Sequence, residues 1–354
     1  MNITIDCRMI NQSGIGVYLR GCLPFFLKSA DNFLLIGNKN DLKSYESKNA
    51  KIIDCNIKPF TITETLFFPA VILKQINKTD IFYSPFFNIL YGVKIPVFIT
   101  IHDIIFPDMP ELSSKTGLIA RMFFYRRAFK ISKKIFTVSC FSKSRIECHL
   151  GKSKPVIVTH SAIQKMYLDY RESKKNIQKK DTIIFIGNIK KHKGLNCLLD
   201  AFISAKKDGL PHKLIIIGSK ENFRTSDKEI VKKILAIGED SISFTGFIDN
   251  ETLLEHLSNA SLLVQPSLYE GFCLPPLEAM VLGTVALISD IPVLKEIYEE
   301  YPVTFFKAGD SSDLKEKMVK LLTNKNMETV SLPQHLVTKY SFEKTASIIL
   351  KNIL

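Results

Sequence analysis

A chain of 354 residues, with 46% hydrophobic and 23% charged residues, is typical of a soluble globular protein and is long enough for two domains. Its net charge of +13 lies almost wholly in residues 1–165, which hold 23 Lys and Arg against 11 Asp and Glu, a net +12. A basic face of this kind suits a nucleic acid, an anionic membrane or an anionic substrate, and the sequence contains no nucleic-acid-binding motif.

Several other classes of protein are disfavoured by the sequence. No apolar run approaches the length of a membrane span, and the start of the chain lacks the basic and apolar regions of a signal peptide. The seven cysteines show no paired spacing, which argues against a disulfide framework or a zinc site. We therefore expect a protein of the reducing cytoplasm with no metal site.

Short apolar runs alternate with helical patterns in the first half of the chain. We predict a helix from Ser13 to Leu27, a helix over Ile62–Asn77 that Pro69 would interrupt, and helices near 114–133 and 142–150. This alternation predicts a parallel sheet covered on both faces. The predicted strands of this half are Asn2–Cys7, Phe33–Gly37, Lys51–Cys55, Ile81–Ser84, Val97–Ile101, Ile135–Ser139 and Val156–Thr159.

The polar segment 166–181 is predicted to be an exposed linker, after which the alternation restarts. We predict domains at 1–165 and 182–338, and a C-terminal segment 339–354 whose last helix, Ser341–Ile353, would pack on the first domain. Two such domains imply a cleft, with ligands at the C-terminal ends of the strands. The predicted strands of the second half are Thr182–Ile186, Leu214–Ile217, Ile242–Thr245, Leu262–Gln265, Val285–Ser289 and Val303–Phe306, and the helices are Leu195–Lys206, about 226–237, and Glu251–Ser258.

The loop after the strand Leu262–Gln265 carries the strongest functional signal. The Pro275–Pro276 pair suits the first turn of a helix, so the loop around Gly271 would direct backbone N–H groups at a helix N-terminus, which is an anion site. Glu278 would then bind a ribose and Glu270 a second sugar, in the order that a nucleotide sugar presents them. The helix dipole alone also favours a glutamate in the first turn, and this simpler interpretation stays open.

A second anion site is indicated by Gly187–Gly194, which follows one predicted strand and precedes a helix. Its three lysines and His192 are unfavourable at the positive end of a helix unless an anion binds there or the side chains extend into water. The Gly14–Gly16 turn after the first strand would allow close approach of a phosphate, although a tight turn is the more common explanation.

Two further polar elements end strands of the first half. The pair His102–Asp103 would face the cleft or form an ordinary loop. Ser142, just before a helix, is interpreted as a helix cap rather than a catalytic residue.

The helix near 114–133 combines a core-facing stripe with a basic face. Leu118, Met122, Tyr125 and Phe129 form the stripe. Two apolar residues lie within the basic face, a pattern that favours an interfacial membrane helix over a merely solvated face. The residues expected on this membrane or acceptor face are Ile119, Phe123, Arg126, Arg127 and Lys130.

These motifs resemble those of the family four retaining glycosyltransferases, which have the GT-B fold. The resemblance spans nearly the whole chain and includes the Glu–seven residues–Glu signature and the Gly-x(5)-Lys-Gly element. The chain departs from it at Cys273, where the family usually has glycine, and at Asn188 and His192, where an arginine is frequent. The chain also lacks the Asp-x-Asp pair of the other large glycosyltransferase fold. The matching positions are Pro266–Ser267, Glu270–Phe272, Leu274–Pro275, Leu277–Met280 and Gly283–Thr284.

The resemblance implies an α/β GT-B architecture and a metal-independent, retaining transfer of a hexose from a GDP- or UDP-type nucleotide sugar, with no cofactor. Lys193 and the N–H groups of 272–274 would stabilise the leaving group, Glu278 would hold the ribose, Glu270 the donor sugar, and His102 would contact the transferred sugar near C6. The catalytic residues would be His102, Glu270 and Lys193, and the donor site would comprise Gly14, Gly16, Asn188, Lys193, Glu270, Gly271, Phe272, Cys273, Leu274 and Glu278.

The acceptor implied is a lipid-linked or lipopolysaccharide/O-antigen-type glycan, at the inner face of the cytoplasmic membrane. Two other functions remain open. A GT-B-fold sugar-nucleotide epimerase would use the same donor without an acceptor, and the basic first half argues against it. A non-catalytic sugar-nucleotide-binding subunit would explain the departures at Cys273 and Asn188. The identities of the donor, the acceptor and the linkage are not given by the sequence.

Overall fold

The protein is described by a computed structural model that covers residues 1–174, 177–218, 233, 237, 240–324 and 332–354. The chain divides into two compact units, Met1–Gln164 with Val337–Leu354, and Lys165–Leu336. Each is an α/β unit built on a parallel sheet. Among the described residues, no helix has both the length and the apolar character required to cross a membrane.

The first unit contains a seven-stranded parallel sheet in the order β3-β2-β1-β4-β5-β6-β7. Its strands are nearly continuous apolar runs, because both faces of the sheet are covered by helices. Successive strands are added on one side of β1 and then, from β4 onward, on its other side. The loops that follow β1 and β4 therefore diverge from the same end of two neighbouring parallel strands. The strands are β1 Asn2–Asp6, β2 Asn32–Gly37, β3 Ala50–Asp54, β4 Ile81–Ser84, β5 Val97–Thr100, β6 Lys134–Thr137 and β7 Val156–Val158.

The helices of the first unit lie near the predicted positions, apart from two short ones. The single helix expected over Ile62–Asn77 is two helices, and Pro69 forms the N-cap of the second, so the predicted interruption is confirmed. The short helices Lys39–Leu42 and Ile105–Asp108 were not predicted. The helices of this unit before the crossover are α1 Ser13–Phe26, α2 Lys39–Leu42, α3 Ile62–Phe67, α4 Ala70–Ile76, α5 Ile105–Asp108, α6 Lys115–Ile131 and α7 Cys140–Leu150.

The second unit contains a six-stranded parallel sheet in the order β10-β9-β8-β11-β12-β13 among its described residues. The direction of winding reverses between β8 and β11, which are direct neighbours. Ligands of doubly wound sheets bind at such a reversal, outside the carboxyl ends of the two strands. The strands are β8 Lys180–Ile186, β9 Lys213–Ile217, β10 Ile242–Gly246, β11 Ala260–Gln265, β12 Val285–Ser289 and β13 Val303–Phe306.

The helix predicted at about 226–237 lies outside the described residues, apart from positions 233 and 237. The helices Lys165–Ser173, Pro292–Tyr298, Ser311–Thr323 and Gln334–Lys339 were not predicted, although Leu314, Met318 and Leu321 of the third follow a helical period. The remaining helices are α8 Lys165–Ser173, α9 Leu195–Lys207, α10 Asn250–Asn259, α11 Pro275–Val281, α12 Pro292–Tyr298, α13 Ser311–Thr323, α14 Gln334–Lys339 and α15 Phe342–Ile353.

The segment 166–181 differs from the exposed linker that its composition predicts. It contains α8 and the start of β8, and two of its basic side chains bind backbone carbonyl groups elsewhere in the second unit. Arg171 donates to the carbonyl oxygen of Val281 at 2.6 Å. Lys179 is largely buried and donates to Ser258 O at 2.8 Å and Thr284 Oγ1 at 2.7 Å, and burial lowers its pKa to about 8. In a sequence, a lysine or arginine that binds a backbone carbonyl group looks the same as one that extends into water. The composition of this segment therefore predicted a linker where the structure has a bound helix.

The last helix, α15, returns to the first unit and packs against α1. Its contact depends on Gly21, where an added Cβ would lie 2.4 Å from the ring of Phe342. Ser341 is its N-cap, as predicted, and accepts from Lys344 N at 3.3 Å.

Candidate functional site

The two glycine-containing loops of the second unit meet at the strand reversal. Because β8 and β11 are parallel neighbours, residues 187–194 and 266–274 leave the sheet side by side. Leu268 N donates to His192 O at 2.7 Å. Gly194 has φ +68°, and an added Cβ there would lie 1.8 Å from Pro266 O, so only glycine fits. The motifs that the sequence placed 77 residues apart thus form one cluster.

Lys193 and Glu270 form the charged centre of this cluster. Lys193 Nζ lies 2.7 Å from Glu270 Oε1 and 2.9 Å from Oε2, and the two side chains are only 22% and 9% exposed. Ser267 Oγ donates to the same carboxylate at 2.7 Å. Sequence reasoning assigned these residues to different parts of a ligand and did not predict that they pair. Each charge has lost part of its hydration by burial, and the opposite charge of its partner compensates for that loss.

The other polar residues of the loop 187–194 add no further positive charge next to Glu270. Burial first, and then the charge of Lys193, lowers the pKa of His192 to about 4, so this imidazole is neutral near pH 7. Lys190 and Lys191 are exposed, whereas Asn188 is half-buried in the same loop. Lys193 is therefore the basic residue of this loop that the fold turns toward Glu270.

Cys273 has a backbone conformation that explains the family's preference at this position. Its φ is +73°, in the left-handed region that glycine adopts without strain, and its side chain is buried. Tyr298 Oη donates to the carbonyl oxygen of Cys273 and holds the turn. A non-glycine residue in this region costs about 1–3 kcal/mol, so the departure from glycine places strain in the loop.

Glu278 lies in the first turn of α11, as predicted, and is buried. Burial raises its pKa to about 7, and a hydrogen bond with the hydroxyl of Tyr167 acts in the opposite direction. Tyr167 belongs to α8, which packs against α11. Sequence reasoning missed Tyr167, because it lies at the edge of the segment that was interpreted as a linker.

His102 follows β5 in the first unit and is half-buried. Its Nε2 lies 2.9 Å from Pro85 O, and its ring meets Tyr18 edge to face at 5.0 Å. A carbonyl oxygen only accepts, so Nε2 carries the proton and Nδ1 is the acceptor. Burial lowers the pKa of His102 to about 4, which makes it a neutral imidazole at physiological pH.

The glycine turn has the tight geometry that was one of the two explanations offered for it, whereas Ser142 has a different role from the one expected. An added Cβ at Gly16 would lie 2.3 Å from Ile10 O, so the tight turn itself requires this glycine, whereas Gly14 has open space around it. The prediction that Ser142 caps a helix is wrong. Ser139 is the N-cap of α7, and Ser142 Oγ donates to His102 O at 3.1 Å. Ser142 thereby supports the backbone of the histidine.

A buried ionic network at the β1–β4 reversal was not predicted. Arg8 donates to Asp6 Oδ2 and to Glu64 Oε1, both at 2.6 Å, and the three side chains are almost inaccessible to solvent. Asn88 also donates to Glu64. Burial raises the pKa of Glu64, while Arg8 acts to lower it. Nothing in the local pattern of Glu64 distinguishes it from an exposed helical glutamate.

The basic face of α6 is present, with one correction. Ile119 and Phe123 are 70% and 56% exposed, and Arg126 and Lys130 are also exposed. Arg127, however, donates to Ile89 O at 2.6 Å and its guanidinium lies 3.7 Å from the ring centre of Tyr91. It therefore fastens α6 to a loop, and its charged group is only half exposed on this face. The face borders a hollow of about 630 Å³.

Comparison with known proteins assigns the second unit to a family. Residues 168–333 match the family described as glycosyl transferases group 1. These residues form a group 1 glycosyl transferase domain. The resemblance inferred from the sequence motifs is thereby confirmed, and the match covers the loops of Lys193, Glu270 and Glu278.

Curated proteins similar to this chain include bacterial glycosyltransferases. The O-antigen chain mannosyltransferase RfbU of Salmonella typhimurium is 28% identical over 204 residues, which are 56% of this chain and 53% of that protein. A Campylobacter jejuni enzyme, N,N'-diacetylbacillosaminyl-diphospho-undecaprenol alpha-1,3-N-acetylgalactosaminyltransferase, is 23% identical over 293 residues, 77% of this chain and 75% of that protein. The chain thus matches about half the length of the mannosyltransferase RfbU.

Solved structures confirm the fold class. Anabaena Alr3699/HepE, determined in complex with UDP-glucose, superposes with a TM-score of 0.75 at 16% identity and covers 99% of both chains. The lipopolysaccharide outer core galactosyltransferase WaaB superposes with a TM-score of 0.66 at 14% identity, with 100% coverage of both chains. The prediction of a GT-B fold made of two parallel-sheet α/β units is confirmed.

Proposed function

We propose that this protein is a retaining, metal-independent glycosyltransferase. It would move a hexose from a nucleotide-diphosphate sugar to a lipid-linked or O-antigen-type glycan at the inner face of the cytoplasmic membrane. The family of residues 168–333 and the names of the relatives support this proposal. The observation that carries it is the Lys193–Glu270 pair at the strand reversal of the family domain, with the buried Glu278 in the helix that follows the same loop.

The Lys193 ammonium would bind the donor pyrophosphate and stabilise the charge that develops on the leaving nucleotide. A lysine positioned in this way provides cationic stabilisation without a metal ion. Its pairing with Glu270 is part of the proposal, because the carboxylate sets the position of the ammonium before the donor arrives. Glu270 would then accept hydrogen bonds from the donor sugar.

Glu278 would hold the ribose hydroxyl groups. An ionised carboxylate accepts two hydroxyl donors, whereas the protonated acid gives up part of that capacity. Since its pKa is raised to about 7, donor binding would be favoured at neutral to basic pH.

His102 would contact the transferred sugar as a neutral imidazole. With Nε2 committed to Pro85 O, its Nδ1 can accept a hydrogen bond from a sugar hydroxyl. A pKa of about 4 makes it a poor general acid near pH 7. We therefore assign the acceptor's proton to the leaving phosphate, with attack on the same face of the sugar that the nucleotide leaves, which gives retention.

The relatives suggest the first donor to test. Two are named as O-antigen chain mannosyltransferases, from Salmonella typhimurium and from Escherichia coli, which favours a GDP-hexose. The UDP-glucose complex of the Anabaena structure makes UDP-hexoses the second choice.

The alternative is a sugar-nucleotide-binding subunit without activity, and the strained Cys273 is the observation that favours it. Purified protein would be incubated with a panel of GDP- and UDP-hexoses, and thermal stabilisation and donor hydrolysis would be measured. A bound donor raises the apparent stability by mass action. Slow release of nucleotide supports the transferase, conversion of the sugar would indicate an epimerase, and stabilisation without turnover would indicate the binding subunit.

A further inference from the structure

Helix α3 in the first unit has its polarity reversed. Its buried residue is the charged Glu64, whereas Ile62, Leu66 and Phe67 are between 67% and 75% exposed. Val71, at the start of α4, is 70% exposed as well. Single exposed apolar residues are ordinary, but four large ones within ten residues form a ridge. We call Ile62, Leu66, Phe67 and Val71 the apolar ridge.

The apolar ridge is held outward by polar bonds on the opposite side of α3. Glu64 accepts from Arg8 Nη2 at 2.6 Å and from the backbone of Phe60 at 2.7 Å, and Thr61 caps the helix by accepting from Glu64 N. The buried network therefore replaces the apolar packing that normally fixes a surface helix. As a result, the apolar side chains of α3 are available for another contact.

The charges around the apolar ridge select the kind of contact. In residues 57–79 the exposed charged side chains are Lys58, Lys74 and Lys78, and the single acidic residue of this stretch is the buried Glu64. Apolar side chains flanked only by lysine suit an anionic lipid surface, where the lysines meet headgroups and the apolar groups enter the acyl region.

The ridge and the basic face of α6 are fastened to one loop. Asn77, just after α4, donates to Gly92 O at 2.9 Å, and Arg127 of α6 donates to Ile89 O. The helix of Val71 and the helix of Ile119 and Phe123 are therefore both bonded, at one end or through a side chain, to residues 85–92. A bilayer is a partner large enough to contact both.

We propose that the apolar ridge on α3 and α4 inserts into the acyl region of an anionic bilayer and is a membrane-contacting element additional to α6. This rests on the proposed function, since it provides the contact through which a lipid-linked acceptor would be reached. The apolar ridge, together with the basic charge, would then determine how deeply the first unit enters the bilayer.

The absence of tryptophan from the chain permits a direct test. Phe67→Trp introduces one fluorophore on the ridge, and Phe247→Trp is the matched control, because Phe247 is 81% exposed in the second unit. Vesicles of phosphatidylcholine with phosphatidylglycerol would be added to each full-length variant. We expect Phe67→Trp emission to shift to shorter wavelength and to be quenched by bromine-labelled acyl chains, while the control is unchanged.

A flotation assay provides the second measurement. Leu66→Ser with Phe67→Ser should reduce partitioning onto anionic vesicles about tenfold, the change expected for partial withdrawal of two large side chains from water. Phe247→Ser should leave partitioning unchanged. Arg126→Glu with Lys130→Glu should weaken binding in a salt-dependent way, whereas the loss from the ridge variant should persist in high salt.

Three outcomes would overturn the proposal. Flotation without a fluorescence shift at position 67 would assign membrane contact to α6 alone. Absence of flotation would show that the protein does not bind anionic membranes. A dimer in sedimentation that the ridge variant abolishes would show that a second copy covers the ridge. Donor stabilisation, measured on the same ridge variant without vesicles, is independent of these results, so a failure of the proposed function would be seen separately.

Discussion

Glu278→Gln should remove a pH dependence from the stability of the second unit. Burial raises the pKa of Glu278 from its ordinary value of 4.5 to about 7. Between these two values the folded protein holds a proton that the unfolded chain releases. Because the folded state then binds more protons, its stability falls as pH rises through this interval. The glutamine variant carries no proton there and should lack this slope.

The size of the effect follows from the two pKa values. One unit corresponds to about 1.4 kcal/mol, so a difference of about 2.5 units corresponds to roughly 3 kcal/mol across the interval. Tyr167 acts against this rise through its hydrogen bond. Tyr167→Phe should therefore raise the pKa of Glu278 further and move the upper end of the interval to higher pH.

The measurement is urea unfolding of the wild type and the variant at about pH 5 and about pH 8, which lie near or beyond the ends of the interval. The difference in free energy of unfolding between the two proteins should change by about 2.5 kcal/mol between these conditions, because pH 5 lies just inside the interval. Glu316→Gln, at an exposed glutamate of the same unit, is the control and should show no change. A Glu278→Gln difference that is the same at both pH values would refute the argument that burial holds the proton.

Three further predictions concern the donor site. Lys193→Ala should weaken nucleotide-sugar binding by about 1.5–3 kcal/mol in calorimetry, whereas Lys191→Ala, an exposed lysine of the same turn, should bind normally. Equal losses in both would indicate general charge attraction. Glu270→Gln should lower kcat more than Glu278→Gln does, while Glu278→Gln raises the donor KM more. Unchanged steady-state kinetics in both would leave the carboxylates with structural roles only. Cys273→Gly should be more stable than Cys273→Ala by about 1 kcal/mol, because only alanine keeps the left-handed strain. Equal unfolding midpoints for these two variants would mean that the strain is absent.

The parallel sheets could be predicted because their strands are buried on both faces. Such strands appear in the sequence as short apolar runs, and the helices between them as changes of period. The same regularity placed Lys193, Glu270 and Glu278 at strand ends, where a ligand site is expected. The strained position of Cys273 had only an indirect signal, the glycine that the family usually has there.

The pairing of distant polar groups could not be predicted. Lys193 and Glu270 are separated by 77 residues, and a single sequence contains no signal for such a contact. Tyr167 belongs to a segment whose composition resembles a linker, although its helix is held by bonds to backbone carbonyl groups. These polar side chains bind polar groups of the protein, a charged side chain or a backbone carbonyl, instead of water. A polar residue type in the sequence does not show which of the two it will meet.

The sequence by itself determined the two α/β units and the order of the motifs along them. The spacing of apolar residues shows which positions are buried, and that spacing differs between strands and helices. Only the tertiary structure decided which face of α3 is buried. Arg8 and Asn88 come from other parts of the first unit and provide Glu64 with partners, and these bonds outweigh the tendency of Ile62, Leu66 and Phe67 to be buried. The direction that a side chain faces depends on the partners available on each side of its helix, and distant parts of the chain provide those partners.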